Sequence, residues 1–211
     1  MVSSTRQSRG QVVTPLHRGW ARLRPLHRGE TVPLLDVFDG LSVSSRADRY
    51  LTGMASLPSR MLHALADVDG CARVGWLAVV ADQPVAIGRY AHTAPATAEL
   101  AFEVADAYQG RGLGTALLDT ITTVAAANGV RRVCATVLPT NEPARRLMAM
   151  AGIPLALDDR VLEGEADLRL LDPPRVDRDA VLSLAAWPAR APRTRCPHRH
   201  PRPVPCTGGP D

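Results

Sequence analysis

The sequence predicts a mixed α/β (α+β) domain, one sheet of mostly antiparallel strands flanked by helices. Three observations carry that expectation. Two β-rich runs, "RVGWLAVV" and "PVAIGRYAHT", are joined by the turn Ala81-Asp82-Gln83-Pro84, which reads as a hairpin. The alternating run "ATAELAFEVAD" is followed by the glycine turn "QGRGLG", Gln109 to Gly114, and then by apolar residues at helical spacing. After Gly129 a strand-like run, a helical run and another strand-like run succeed one another.

The elements follow in order. "GWARLRPL" reads as a first strand. "VPLLDVFDGL" and "SVSSRADRYLTGM" read as helices, the second with Ser42 or Ser44 as N-cap, and Pro58 opens a third in "PSRMLHALADV". The hairpin and the alternating strand come next. Leu113, Ala116, Leu117, Thr120, Ile121 and Val124 then share one face of a long helix that Asn128-Gly129 terminates. "VRRVCATVL" is a strand, "NEPARRLMAMAG" a helix with a glycine end, and "GEADLRLL" a last strand. "PLHRG" occurs twice, at 15–19 and 25–29, and reads as a local duplication. The implied organisation is a loose basic segment over residues 1–19, one domain over 20–171, and a disordered Pro- and Arg-rich tail over 172–211.

Composition narrows the function classes. With 211 residues, 45% of them hydrophobic, the chain can bury one sizeable core, and at 4% aromatic that core must be Leu, Val and Ala. The net charge of +4 sits largely in arginines near the two ends, without interleaved aromatics, so nucleic acid is not the expected partner. No apolar run is long enough for a membrane span and no h-region follows the first basic residues, which points to the cytoplasm. Cys71 and Cys134 fall in strand-like runs as small buried hydrophobes. Cys196, His198, His200 and Cys206 do not match the spacing of a zinc finger, and no metal is expected.

The glycine turn carries chemistry. A helix N-terminus offers unpaired N–H groups and the positive end of its dipole, and glycines let an anion approach that backbone. Arg111 adds charge at the same mouth. A tight turn using glycine for positive φ is the plain structural alternative. A P-loop would require Gly-Lys-Ser/Thr, but Thr115 and Ala116 follow Gly114. A dinucleotide turn would require a third glycine where Thr115 stands, and an acidic residue closing the next strand, which "RRVCATVLPTN" lacks.

"EVADAYQGRGLGTALL" resembles the acyl-coenzyme A loop of the GNAT superfamily of N-acetyltransferases, Gln/Arg-x-x-Gly-x-Gly/Ala, through Gln109, Gly112 and Gly114. "NEPARRLMAMAGI" is similar to the helix that packs beside the cofactor in that family; Asn141, Ala144, Leu147 and Gly152 match, and Ile153 replaces the usual aromatic. Upstream, "LRPLHRGE", "FDGLSVSSRADRY" and "LADVDG" resemble a bacterial subgroup that includes actinobacterial protein-lysine acetyltransferases. The resemblance spans about Trp20 to Leu171 and implies strands splayed around an acyl-coenzyme A site.

It further implies acetyl-CoA as cosubstrate and an amine acceptor, a small molecule or a protein lysine, and leaves room for a homodimer. Gln109, Gly110, Arg111, Gly112, Leu113, Gly114 and Thr115 would cradle the pyrophosphate, the backbone of Phe102 and Val104 would pair with the pantetheine arm, and Asn141 would contact the cofactor. Glu99 and Glu103 share one strand face and are the candidate general bases, Glu99 first; an apolar wall would make either a stronger base. The tyrosine that many members carry on the helix after the asparagine is absent, leaving Tyr90, Tyr108 or water to meet the thiolate. Cys134 has no histidine nearby in sequence and reads as a core residue. The rival reading is an acyl-coenzyme A-binding sensor with little catalysis.

Overall fold

The computed structural model of the protein describes residues 11–186. Strands are β1 Val12–Pro15, β2 Trp20–Pro25, β3 Arg73–Val80, β4 Gln83–Ala94, β5 Thr97–Val104, β6 Arg132–Val137, β7 Ala156–Asp158 and β8 Val161–Asp167. Helices are α1 Val32–Asp39, α2 Val43–Tyr50, α3 Ser59–Ala66, α4 Leu113–Ala127, α5 Glu142–Met150 and α6 Arg178–Ala185. They form one sheet in the order β1-β2-β3-β4-β5-β6-β8-β7, antiparallel throughout except between β5 and β6. The mixed fold expected from the sequence is the fold observed.

Parity along β3 shows why the sheet is covered on both faces. Val74, Trp76 and Ala78 join a cluster with Leu117, Leu118 and Ile121 of α4, while Leu77 and Val79 join Leu34 and Val37 of α1 and Ala66 of α3. A strand buried on both faces reads as a continuous apolar run, and "VGWLAVV" is one. Helix α4 lies unusually close to the sheet at Gly88. A Cβ there would stand 3.0 Å from Phe102 Cε1 and 3.1 Å from both Ile121 Cγ1 and Leu117 Cβ. The β3–β4 turn is Ala81-Asp82, both at positive φ (48° and 66°), as a two-residue hairpin requires. Ser42 accepts from the Ser45 N–H at 3.2 Å and caps α2 as expected. Among the described residues no helix is long and apolar enough to cross a membrane.

Both expected tails reach too far into the folded chain: the N-terminal one ends too late and the C-terminal one begins too early. Strand β1 lies inside the segment assigned as loose, with Val12 and Thr14 buried against the sheet. Residues 172–186, assigned to a disordered tail, carry α6, whose Val181 enters the core. The cause is a buried charge. Asp119 of α4 is wholly inaccessible. Its Oδ2 accepts from the N–H groups of Arg175 (2.6 Å) and Val176 (3.1 Å), and its Oδ1 from Arg178 Nε (3.0 Å) and Nη2 (2.6 Å). Thr14 Oγ1 donates to the Arg175 carbonyl at 3.0 Å, so β1 and this segment hold each other. Residues 1–10 and 187–211, including Cys196, His198, His200 and Cys206, lie outside the described residues. Cys71 sits in the bend before β3, not on a strand.

A buried carboxylate meeting four donors is expensive to remove. Asp119→Ala should lower unfolding stability by about 3–5 kcal/mol in a urea titration, because Arg178 would stay packed without its anion. Deleting residues 175–211 should lower the Tm as well, since it removes the same partners; an unchanged Tm would show that the C-terminal segment is only resting on the core.

Candidate functional site

The site begins where a strand pair stops. β5 and β6 are in register for three pairs, Thr97↔Arg132, Ala98↔Val133 and Glu99↔Cys134, and then separate. β5 continues against β4 as far as Ala86↔Val104, and β6 continues against β8 as far as Val137↔Leu162. The Ala105 N–H donates to the Val85 carbonyl at 2.8 Å, which sets the backbone parity of β5. By alternation, the backbone groups of the even residues of β5 point away from β4: the Leu100 N–H closes the last rung on β6, and the backbone of Phe102 and Val104 beyond it faces the gap. Backbone groups facing a gap without a strand partner must find partners elsewhere.

A cavity of about 480 Å³ occupies that gap. It is lined by Glu99 to Val104 of β5, Ala135 to Val137 of β6, the turn from Tyr108 to Thr115 apart from Arg111, and Asn141, Leu147 and Met150 beside α5. At its mouth Gly110 and Gly112 have φ of 69° and 95°, and Gly112 stands at the N-cap of α4 with no side chain capping the helix. After the Gln109 N–H, which donates to the Asp106 carbonyl at 3.2 Å, the next bonded amide is that of Ala116, to the Gly112 carbonyl at 3.0 Å. The amides of Leu113, Gly114 and Thr115 therefore open outward with the helix dipole behind them.

The predicted loop residues separate on inspection. Gln109 Nε2 donates to the Val104 carbonyl (3.1 Å) and to Asp106 Oδ1 (3.2 Å), so its side chain fastens the turn to the end of β5. Arg111 is a correction to the expected charge at the mouth. Its Nη2 donates to the Ala107 carbonyl at 2.6 Å, its guanidinium lies 4.8 Å over the Tyr108 ring, and its side chain does not line the cavity. His17, from the β1–β2 loop, does line it; its ring lies 3.8 Å from where a Gly112 Cβ would stand. Asn141 caps α5, accepting from the Ala144 N–H at 3.0 Å, while also lining the cavity.

The two glutamates share the β5 face that looks toward α1–α3, but their surroundings differ. Glu99 is exposed, at the point where the strands part. Glu103 is 5% exposed and accepts from Arg49 Nε at 3.1 Å and from the Tyr50 hydroxyl at 3.0 Å. The apolar wall expected around either carboxylate is absent: one is open and the other is enclosed by polar groups. Burial, with the Glu103 carboxylate beside it, pushes the Tyr50 hydroxyl well above the usual tyrosine range, so it remains a donor. Sequence reasoning missed Arg49, Tyr50 and His17, which reach the site from elements far away in the chain.

The remaining chemical candidates fall away from the cleft. Tyr90 is 1% exposed; its hydroxyl donates to the Cys71 carbonyl at 2.7 Å and meets Asn128 Nδ2 at 2.7 Å. Cys134 is a free, half-buried thiol that burial pushes upward, the wrong direction for a nucleophile. Tyr108 alone among the tyrosines lines the cavity, and Met148 and Met150 occupy the α5 positions there. Among the described residues no cluster of His, Cys, Asp and Glu could hold a metal.

Comparison with known proteins gives this geometry its context. The model of the Acetyltransferase (GNAT) family matches residues 45–153, just over half of the chain. The GNAT domain of S. lividans PAT is 32% identical, with a TM-score of 0.69, over 78% of this chain and 100% of that one. A cAMP-binding acyltransferase from Mycobacterium smegmatis is 26% identical, with a TM-score of 0.58, over 83% of this chain; the match spans 52%, about half, of that protein. A GCN5-related N-acetyltransferase from Kribbella flavida, at 20% identity and a TM-score of 0.57, shares the fold. With its family matched across the parted strands and a solved GNAT domain covered from end to end, the chain belongs to the GNAT family of N-acetyltransferases.

Proposed function

We propose that this protein transfers the acetyl group of acetyl-CoA to a primary amine by direct attack, with Glu99 as general base and a protein lysine as acceptor, in the cytoplasm. The observation that carries the reading is the gap itself: past the last β5–β6 pair the N–H and C=O of Phe102 and the N–H of Val104 face it without a strand partner, and an uncapped helix N-terminus stands at one end. Those features suit an extended amide-bearing arm that ends in a pyrophosphate. In this reading the amides of Gly110 and Gly112 to Thr115 hold the pyrophosphate, and His17 lies beside it. The Phe102 and Val104 backbone holds the pantetheine arm, with the Val104 N–H free because Gln109 takes only that residue's carbonyl.

The acetyl thioester supplies the electrophile. The amine nitrogen bonds to the thioester carbonyl carbon, the C–S bond breaks, and the amine proton passes to the Glu99 carboxylate. Exposure at the fork lets an incoming amine reach Glu99, whereas the oxygens of Glu103 are already taken by Arg49 and Tyr50. The leaving thiol has a pKa near 8.5, so the thiolate can depart without a tyrosine on α5. Likeness to S. lividans PAT favours a protein lysine as acceptor.

Gly112→Glu should abolish acetyl-CoA binding in calorimetry, because a carboxylate would enter the anion site; unchanged affinity would overturn the assignment. Gly112→Ala should be milder and cost about 1–2 kcal/mol, from forcing a side chain into left-handed backbone. Glu99→Gln should slow turnover by roughly 100-fold or more while leaving acetyl-CoA affinity unchanged, and its rate should climb with pH as solvent deprotonates the amine. In Glu103→Gln the expected loss is thermal stability, with no such pH profile. If the profile appears there instead, the base is Glu103.

A further inference from the structure

Behind the cleft, the buried Glu103 carboxylate is the anion that two arginines, Arg49 and Arg89, have nearest to them. Arg89 of β4 is diagonal to Glu103 across the strand pair, since Ala101 faces Arg89 and Ile87 faces Glu103. Its Nε and Nη2 have neither a hydrogen-bond partner nor solvent contact, and Nη1 makes only a long, 3.5 Å contact with the Leu65 carbonyl. Burial pulls this guanidinium below the usual arginine range, the Glu103 carboxylate holds it up, and Arg49 works against it. Two arginines thus share one carboxylate, and Tyr50 stays neutral. Arg89 draws on the Glu103 charge from below, so Glu103 does not answer the Arg49 guanidinium alone.

Arg49 is where this group of charges reaches the cavity. Its Nε is committed to Glu103, its side chain lines the cleft, and among the described residues its Nη1 and Nη2 make no hydrogen bond. A guanidinium edge of this kind matches a carboxylate. We propose that Arg49 reads an acidic side chain next to the acceptor lysine, so that the substrate class is a lysine flanked by Asp or Glu.

Spacing selects this chemistry over a free α-amino acid. Glu99 and Glu103 are four residues apart on an extended strand, on the order of 13 Å between Cα atoms. An α-amine and its own carboxylate are far closer together than Glu99 is to Glu103, the residue that anchors Arg49. A lysine side chain carries its amine away from the peptide backbone, and a neighbouring acidic side chain can then turn to Arg49. Asp48, which lines the same cavity, forms no ion pair among the described residues and leaves the Arg49 edge open.

This inference rests on the lysine acetyltransferase reading, and a peptide panel separates the two. The wild-type protein is given acetyl-CoA and paired lysine peptides, with Asp or Asn, Glu or Gln, at each position flanking the lysine, and coenzyme A release is followed. At least one acidic peptide should have a kcat/KM about tenfold above its amide twin, mainly through KM, as a charge-assisted hydrogen bond implies. The advantage should shrink with added salt, and Arg49→Gln should collapse the acidic-to-amide ratio toward unity. Equal turnover of all pairs, or faster turnover of the amide peptides, overturns the proposal and leaves the acetyltransferase reading standing. Should no peptide be acetylated while a small amine is, the lysine acceptor fails and this proposal fails with it. Because the paired peptides are compared on the wild-type enzyme, a variant that misfolds does not weaken the test.

Discussion

Everything distinctive about this molecule depends on a parallel strand pairing that stops after three residues. Up to Glu99↔Cys134 the sheet is continuous; past that pair β5 and β6 each keep their other neighbour and lose one another. The separation turns backbone that would have been ladder into backbone facing a cavity. It also sets the depth of the cleft, because the fork lies at Glu99 and the outer end lies at the first turn of α4. Helix α4 can stand there because Gly88 lets it settle against the sheet, with Leu117 and Ile121 where a side chain would otherwise be.

The cleft divides its electrostatics between its two ends. The outer end uses peptide dipoles, whose charge is fixed by geometry and cannot titrate. The end at the fork uses full charges from three elements: Glu99 and Glu103 on β5, Arg49 at the end of α2, and Arg89 beneath them on β4. Dipoles tolerate open solvent because they are held by the helix. The ionic cluster depends on burial and on Tyr50 to keep one arrangement. A substitution at the outer end should act through steric and backbone effects, whereas one in the cluster should disturb folding and recognition together.

How legible the molecule is in its sequence varies by element. α4 announces itself through its apolar period and the Asn128-Gly129 stop, and Gly129 does take a φ of 84°. The hairpin turn was visible as a polar interruption, although two residues, not four, make it. Strand β1 was not visible, because four residues amid Ser, Arg and Gly give too short an alternation to count. α6 had a local signal, Asp177 ahead of an apolar run, accepting from the Ala180 N–H at 3.0 Å. Proline and arginine on both sides outweighed it, and its anchor Asp119 lies more than fifty residues earlier. The glycine turn could be read as an anion site because that chemistry belongs to contiguous residues. Arg49 and Tyr50 meet Glu103 only through tertiary folding, which no local period encodes.

The sheet's two borders have a consequence for how copies of this chain can meet. One border is β1, four residues closed by Pro15, which has no N–H to offer; the other is β7, three exposed residues. Short borders present few unpaired groups for another strand to copy, a usual protection against edge-to-edge aggregation. Through the described borders, two molecules gain little by joining their sheets into a longer one. Among the described residues, the surfaces left for an assembly are side chains on helices and sheet faces, which surface substitutions can tune while leaving the β-ladder untouched.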